Sequence, residues 1–333
     1  MSELRLFLMK ENYENSRLPE QLADSSASYK RLNLYGRDVF VSWPGNLTKN
    51  IADQSVESSF LINRDYVLSS RDWKSTPTKI PVGDVEIGSD SVVIAAGPCS
   101  VDFEEGAEEF SKELKKAGAN IIRGGAFKPR TSPFTFQGKG KDGIDILKSM
   151  KDETGLPIVS EILDPEHLSY FRDVDILQIG SRNAQNFQLL RKVSTSNKPV
   201  LLKRGMGNTY SEWLSTADYV LGEGNGSVIL CERGIRTFEN GTRFTMDVGS
   251  IAKAKEESHL PICADPSHAA GRREMVLPLA LASVASGCDM ILVEVHPHPE
   301  TALSDSQQQL TIDGLKLLSK QVRLIKKSLV NDL

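Results

Sequence analysis

Two hydrophobic rhythms run along the chain and change over near residue 65. Before it, strand-length runs mix apolar and polar positions: ELRLFLM, YKRLNLYG, DVFVSWPG and VESSFLIN. This is the pattern of strands with a buried face. NSRLPEQLADS and NLTKNIADQ read as short helices between them, and Gly36 with Asp38 supplies a turn. The predicted order is β-α-β-β-α-β, the ferredoxin-like arrangement of a small open sheet, assigned to residues 1–70. SSRDWKSTPTKIPVG, rich in Ser, Thr and Pro, reads as a linker, and KIPVGDVEIG as a hairpin closing the bottom of the next domain.

From residue 92 onward the rhythm is different. Short, nearly continuous apolar runs recur between amphipathic segments: VVIAAG, NIIRGG, PIVSEI, DILQIG, PVLLKR, SVILCE, PICADP and MILVEV. Phe103, Ala107, Phe110 and Leu114 follow a helical period, with Asp102 and Glu105 spaced as a capping pair. Leu315, Leu318, Val322, Ile325 and Leu329 form a second helical stripe after the last run. Strands apolar throughout, alternating with helices, indicate a parallel sheet buried on both faces. Eight such runs favour a closed (β/α)8 TIM barrel over residues 71–333, the alternative being an open doubly wound sheet.

Composition narrows the function classes. The 333 residues are 39% hydrophobic and 25% charged, with a formal net charge of -4, which argues against a general nucleic-acid binder. The first residues lack the basic and apolar pattern of a secretory signal. No apolar run approaches the roughly 18–20 residues that a membrane span requires. Cys99, Cys231, Cys263 and Cys288 lack CxxC spacing and disulfide-scaffold density, so reduced thiols and a cytoplasmic location are expected.

The chemistry gathers at the C-terminal strand ends, where barrels of this kind carry their sites. In order these ends bring Cys99, Arg123 and Lys128, Glu161, Gln178 and Arg182, Lys203 and Arg204, Glu232 and Arg233, Asp265 and His268, and Glu294. The basic members exceed the needs of one phosphate and suggest substrates with several anionic groups; structural ion pairing with Glu161, Glu232 and Asp265 is the alternative. Cys99, His268, Glu294 and Asp305 follow runs that become neighbours on closure, and they suit an open divalent-metal site. By spacing alone, His296 or His298 could replace His268. GKGKDG at residues 138–143 fits G-x-G-x-x-G, but KPRTSPFTFQ separates it from the preceding strand, which argues against a dinucleotide site.

At AGPCS, IIRGGAFKPRTSPFTFQG, IGSRNAQNF, KPVLLKRG, ILCERGIRTF, ADPSHAAGRR and VEVHP followed by ALSD, the sequence resembles the 3-deoxy-D-arabino-heptulosonate 7-phosphate (DAHP) synthases. The resemblance is to their short type I-beta group, which also includes the 3-deoxy-D-manno-octulosonate 8-phosphate synthases. It implies condensation of phosphoenolpyruvate with erythrose 4-phosphate at the start of aromatic biosynthesis. Cys99, His268, Glu294 and Asp305 would be the ligands of one divalent metal ion (Mn, Fe, Co or Zn). Arg123, Lys128 and Lys203 would hold the carboxylate region of phosphoenolpyruvate, and Arg182 and Arg233 its phosphate; Glu232 is grouped with these substrate residues. Arg130, Thr131 and Ser132 would bind the aldose phosphate. The octulosonate synthases typically have an Asn-Arg-Ser run where this chain has KPRTS, which favours the four-carbon aldehyde.

Lys203 is the expected proton donor to the developing alkoxide, and Glu161 the group that orients or deprotonates water. Ferredoxin-like extensions in the resembling family imply a regulatory domain that binds tyrosine or phenylalanine and closes over the barrel mouth, within a homotetramer. The rivals are an octulosonate synthase, a metal-dependent phosphohydrolase on the same barrel, and a non-catalytic phosphosugar-binding barrel.

Overall fold

The computed structural model describes residues 4–13, 15–44, 47, 51–129 and 132–331. The N-terminal runs pair into one antiparallel sheet. β1 (Leu4–Met9), β2 (Ser28–Leu34), β3 (Arg37–Trp43) and β4 (Val56–Ile62) lie in the order β2-β3-β1-β4, and α1 (Leu18–Asp24) joins β1 to β2. β3 thereby slots between the two strands of a split βαβ unit. Side-chain alternation decides what each face meets. Phe7, Met9 and Phe40 pack on Leu18 and Leu22 of α1, whereas Leu6, Leu34, Val39 and Ile62 join the cluster shared with the barrel. Of the second helix expected over 46–54, residues 46 and 48–50 lie outside the described residues; the remainder, 47 and 51–54, is not helical.

All eight later runs form strands. After the hairpin of β5 (Ile80–Val82) and β6 (Val85–Ile87) come β7 (Val93–Gly97), β8 (Ile121–Arg123), β9 (Ile158–Glu161) and β10 (Ile176–Ile179). β11 (Val200–Lys203), β12 (Val228–Glu232), β13 (Ile262–Ala264) and β14 (Met290–Glu294) complete a closed parallel barrel in which β14 pairs with β7. Val93, Ala95, Leu201 and Met290 fill the interior, and Ile80, Val82 and Ile87 of the hairpin join them, sealing the bottom as the sequence predicts. Burial of each Val, Leu, Ile or Met side chain among them contributes roughly 1.5–3 kcal/mol.

Ile94, Ile122 and Leu202 point outward to the helical layer. That layer contains α2 (Ala107–Lys116), α3 (Lys141–Thr154), α4 (Phe187–Ser194), α5 (Tyr210–Leu221), α6 (Val248–Glu257), α7 (Pro266–Ala270), α8 (Val276–Ala285) and α9 (Ile312–Asn331). In α9 Leu315, Leu318 and Val322 are buried, while Leu329 at the far end is 39% exposed.

The expected Asp102 cap does not form. α2 starts at Ala107 behind Gly106, which takes φ +77° and caps without a side-chain bond. The Asp102 carboxylate is engaged elsewhere, accepting from Leu303 N at 2.7 Å and lying 3.0 Å from His296 Nε2.

The module docks at the end of the barrel where strands begin. The β2–β3 turn, Tyr35–Gly36, has φ of +55° and +75°, as a two-residue hairpin requires. Gly36 adopts this freely, whereas the Tyr35 ring is held against His259 and Trp73, with centroids 5.6 and 6.3 Å away. Its hydroxyl donates to Gly226 O at 3.0 Å just before β12, and a Cβ on Gly226 would lie 2.7 Å from the ring. Lys30 pairs with Glu223 at 3.2 Å, and Asp218 on α5 accepts the N–H groups of Val67, Leu68 and Ser69. This placement differs from the expectation of a module lying over the mouth. The bulky Tyr35 anchor seats against Trp73, His259 and Gly226 at the opposite end of its own barrel.

Candidate active site and metal centre

Barrel closure sets β13, β14 and β7 side by side. Cys99 follows β7, Glu294 ends β14, His268 sits on α7 after β13, and Asp305 lies in the loop beyond β14. One donor atom from each of these four lies within 4.8 Å of the others. Cys99 Sγ approaches Asp305 Oδ2 at 3.2 Å, and His268 Nε2 lies 3.4 Å from Glu294 Oε1 and 3.8 Å from Asp305 Oδ2. His296 is turned to Asp102, and His298 is exposed beside Glu300, so neither joins the cluster. Of the three histidines that spacing allows, the structure brings His268 to the other donors.

The electrostatics suit a cation. Burial raises the Cys99 thiol to about 12, helped by the Glu294 charge. Burial alone would raise Glu294 and Asp305 as well, yet both carboxyls are held below their ordinary range, chiefly by His268, with Arg123 acting on Glu294 and Arg243 on Asp305. Two ionised acids packed together repel unless positive charge lies between or beside them. One soft sulfur, one imidazole nitrogen and two carboxylate oxygens form a donor set for a divalent transition ion. A bound ion would also reverse the thiol's disfavoured ionisation.

Further contacts orient the donors. His268 Nδ1 is 2.7 Å from Asp265 Oδ2, leaving Nε2 facing the carboxylates. Asp265 Oδ1 also accepts the His268 backbone N–H and so caps α7. Gln309 Oε1 accepts from Cys99 N at 3.0 Å, and Ser267 Oγ accepts from Glu294 N at 3.0 Å. Gly97 lets β7 and β8 approach beneath the cluster: at φ +152°, its Cβ would fall 2.1 Å from Arg123 O.

Beside the cluster opens a cavity of about 360 Å³, lined in part by Lys128, Ser132, Glu161, Arg182, Lys203 and Arg233. Lys128 Nζ lies 3.1 Å from Cys99 Sγ and donates to Cys99 O at 3.0 Å; Lys203 Nζ lies 2.5 Å from Asp265 Oδ2. Arg123 is set behind the cavity, bonded to Pro98 O at 2.8 Å and Glu294 Oε1 at 3.2 Å. Among the described residues, neither Arg182 nor Arg233 has an acidic ion-pair partner. Arg233 is only 5% exposed and lies over the Phe244 ring at 4.2 Å. Its Nε is buried without a partner, and burial lowers its pKa. A buried guanidinium without a counter-charge costs several kcal/mol unless an anion meets it.

Glu161 Oε2 accepts from Gln178 Nε2 at 3.3 Å, and a Cβ on Gly180 would lie 1.9 Å from Glu161 Oε1. Glu232, grouped above with the substrate residues, is fully buried: its carboxylate takes Arg204 at 2.9 Å and Gly234 N at 2.7 Å. It therefore neutralises Arg204 and does not line the cavity. Arg130 and Thr131 lie outside the described residues. Sequence reasoning missed Arg243, which lines the cavity and bonds Asp305 Oδ1 at 3.1 Å, and Gln308, which bonds Glu294 Oε2 at 2.5 Å. The SDSQQQL run after strand eight was the available signal for Gln308.

Comparison with known proteins agrees with this geometry. A family model described as the DAHP synthetase I family matches residues 65–330. A phospho-2-dehydro-3-deoxyheptonate aldolase of Thermotoga maritima is 47% identical over 275 residues, covering 82% of this chain and 81% of that protein. A 2-dehydro-3-deoxyphosphooctonate aldolase of Geobacter sulfurreducens is 30% identical over 267 residues, covering 74% of this chain and 97% of that one. The crystal structure of the phospho-2-dehydro-3-deoxyheptonate aldolase (DAHP synthase) from Thermotoga maritima superposes with a TM-score of 0.80 at 40% identity, covering 99% of this chain and 98% of that chain. With barrel, strand-end cluster and family match in agreement, the chain belongs to the DAHP synthetase I family.

Proposed function

We propose that the strand-end cavity condenses phosphoenolpyruvate with erythrose 4-phosphate and water, giving DAHP and phosphate. The observation that carries this is the pair Arg182 and Arg233, cations without acidic partners, in the same cavity as Lys128, Lys203 and the four-donor cluster. Arg182 and Arg233 hold the phosphate of phosphoenolpyruvate, and Lys128 and Lys203 its carboxylate, with Arg123 adding positive charge from behind. Ser132, with Arg130 and Thr131, receives the aldose phosphate. Fixing both reactants converts a bimolecular encounter into an oriented one.

Cys99, His268, Glu294 and Asp305 would hold one divalent ion, Mn, Fe, Co or Zn, which when bound would supply Lewis-acid polarisation for the aldehyde. Carbon 3 of phosphoenolpyruvate forms the new bond to the aldehyde carbon, and Lys203 gives its proton to the resulting alkoxide. Asp265 Oδ2, 2.5 Å from Lys203 Nζ, fixes where that side chain points. Water adds at carbon 2 and loses a proton to Glu161, and the hemiketal then expels phosphate.

Phosphate release is measured with phosphoenolpyruvate alone, with erythrose 4-phosphate added, and with arabinose 5-phosphate added. Release that requires the four-carbon aldehyde is expected. Release without any aldehyde identifies a phosphohydrolase, preference for the pentose phosphate an octulosonate synthase, and no release a binding barrel.

The division into a regulatory module, residues 1–70, and a catalytic unit, residues 71–333, belongs to the same proposal, as do a tyrosine or phenylalanine inhibitor, a homotetramer and a cytoplasmic location. No described helix is long and apolar enough to cross a membrane. Turnover with and without each aromatic acid, for the whole chain and for one beginning near residue 70, tests regulation; equal responses of the two remove it. Because the module docks where the strands begin, an inhibitor there must act through the barrel or on the mouth of a neighbouring copy.

A further inference from the structure

We infer that Arg243 and Gln308 are positioning residues that hold the outward oxygen of each acid in the four-donor centre, so that Asp305 and Glu294 each present a single oxygen inward. The inference rests on the metal role proposed for that centre. Each carboxylate is divided between two tasks. Asp305 turns Oδ2 toward Cys99 Sγ at 3.2 Å and His268 Nε2 at 3.8 Å, while Arg243 Nη1 takes Oδ1 at 3.1 Å. Glu294 turns Oε1 toward His268 Nε2 at 3.4 Å, where Arg123 Nη1 also donates to it at 3.2 Å, while Gln308 Nε2 takes Oε2 at 2.5 Å. The two outer groups are themselves joined, because Arg243 Nη1 also donates to Gln308 Oε1 at 3.1 Å. One continuous arc therefore runs from Asp305 through Arg243 and Gln308 to Glu294.

Arg243 is fixed along its whole length. Its backbone N–H bonds Ala270 O at 3.2 Å, at the end of the short helix that carries His268. Its stem lies against Gly271, where a Cβ would fall 2.5 Å from Arg243 Cβ. Gln308 is 2% exposed, and its backbone N–H returns to Asp305 O at 3.2 Å. The arc thus ties the loops after β12, β13 and β14 together. A carboxylate free to rotate can offer a cation two oxygens; one with an oxygen already bonded offers one. Arg243 also lines the cavity and is 41% exposed, so a direct contact with substrate phosphate is the rival role.

The test uses the full chain, stripped of metal and titrated with Co(II), whose thiolate charge-transfer and d–d absorption report donors directly. Arg243→Gln and Gln308→Leu are each expected to weaken Co(II) binding by roughly 10- to 100-fold and to shift the d–d bands. Arg243→Lys should restore part of the affinity, and KM for erythrose 4-phosphate should stay near that of the parent. Melting curves check Gln308→Leu, which alters a buried site; the exposed Arg243 variants test the idea without that risk. Parent-like affinity and bands in both variants would overturn the inference. So would a raised KM for the aldose with unchanged Co(II) binding, which makes Arg243 a substrate contact. A parent that binds Co(II) without the thiolate band removes the metal role itself, a distinct result.

Discussion

At the scale of single residues, the site couples charges that would be unfavourable apart. Cys99 offers the only sulfur in the cluster, and serine is a poor replacement for a soft donor. Cys99→Ser is expected to lose tight metal binding and nearly all turnover, as read by metal content after dialysis and by kcat; full activity in metal-stripped buffer would contradict it. Gly180 offers a gentler probe. Its φ of -70° and ψ of 158° suit any residue, but a methyl group there would occupy the place of Glu161 Oε1. Gly180→Ala should therefore displace that carboxylate, lowering kcat about 10- to 100-fold with little change in melting temperature. Undiminished kcat would remove Glu161 from the water-handling role. Much of this was legible in sequence because strand ends in a barrel converge, so Cys99, His268 and Glu294 could be associated across the chain. Arg243 was not, since nothing in FENGTRFTMD tells which of its residues reaches inward. The strand-end position of Glu232 leaves both a substrate contact and an ion pair open, and packing shows that Arg204 occupies it.

At the scale of elements, hydrophobic rhythm was a reliable guide where burial is two-sided and a poor one where polar contacts decide. All eight barrel strands lie in the runs that predicted them. The start of α2 does not follow from its pattern, because a long-range bond to His296 takes the Asp102 that a local cap would need. The Tyr35–Gly36 turn likewise reads as an ordinary hairpin, although its tyrosine is one of the sheet's anchors on the barrel. Tyr35→Ala removes the ring from between His259, Trp73 and Lys74 and loses the bond to Gly226 O. A cost of about 1–3 kcal/mol is expected. Limited proteolysis should cleave the linker near residues 69–79 faster while the barrel stays intact. An unchanged cleavage rate would mean that the contacts of Asp218 and Lys30 suffice without it.

At the scale of the whole molecule, docking of the module should depend on acid. His259 is 1% exposed, with Nε2 2.8 Å from Leu68 O and Nδ1 2.8 Å from Thr78 Oγ1. Burial, with smaller contributions from Lys74 and Arg71, depresses its pKa from 6.5 to about 4. The folded state thus disfavours the proton: stability is full above pH 6.5 and is lost as pH falls toward 4. The loss there amounts to ~3 kcal/mol. Melting temperatures from pH 7 to pH 4 should fall more steeply for the parent than for His259→Gln; parallel curves would show that other groups govern acid loosening.

The closed sheet has one further consequence. Cys99 and Asp305 are 206 positions apart, and the cluster straddles the line where the first barrel strand meets the last. A growing chain owns the thiol long before it owns the acids, so no complete coordination sphere exists until the ring has joined. A cation captured there would rivet that join, and opening it would mean surrendering the ion. At a thousandfold excess over its Kd, this adds about 4 kcal/mol of resistance to unfolding. Metal supply would then govern how long the folded enzyme survives as well as how fast it turns over.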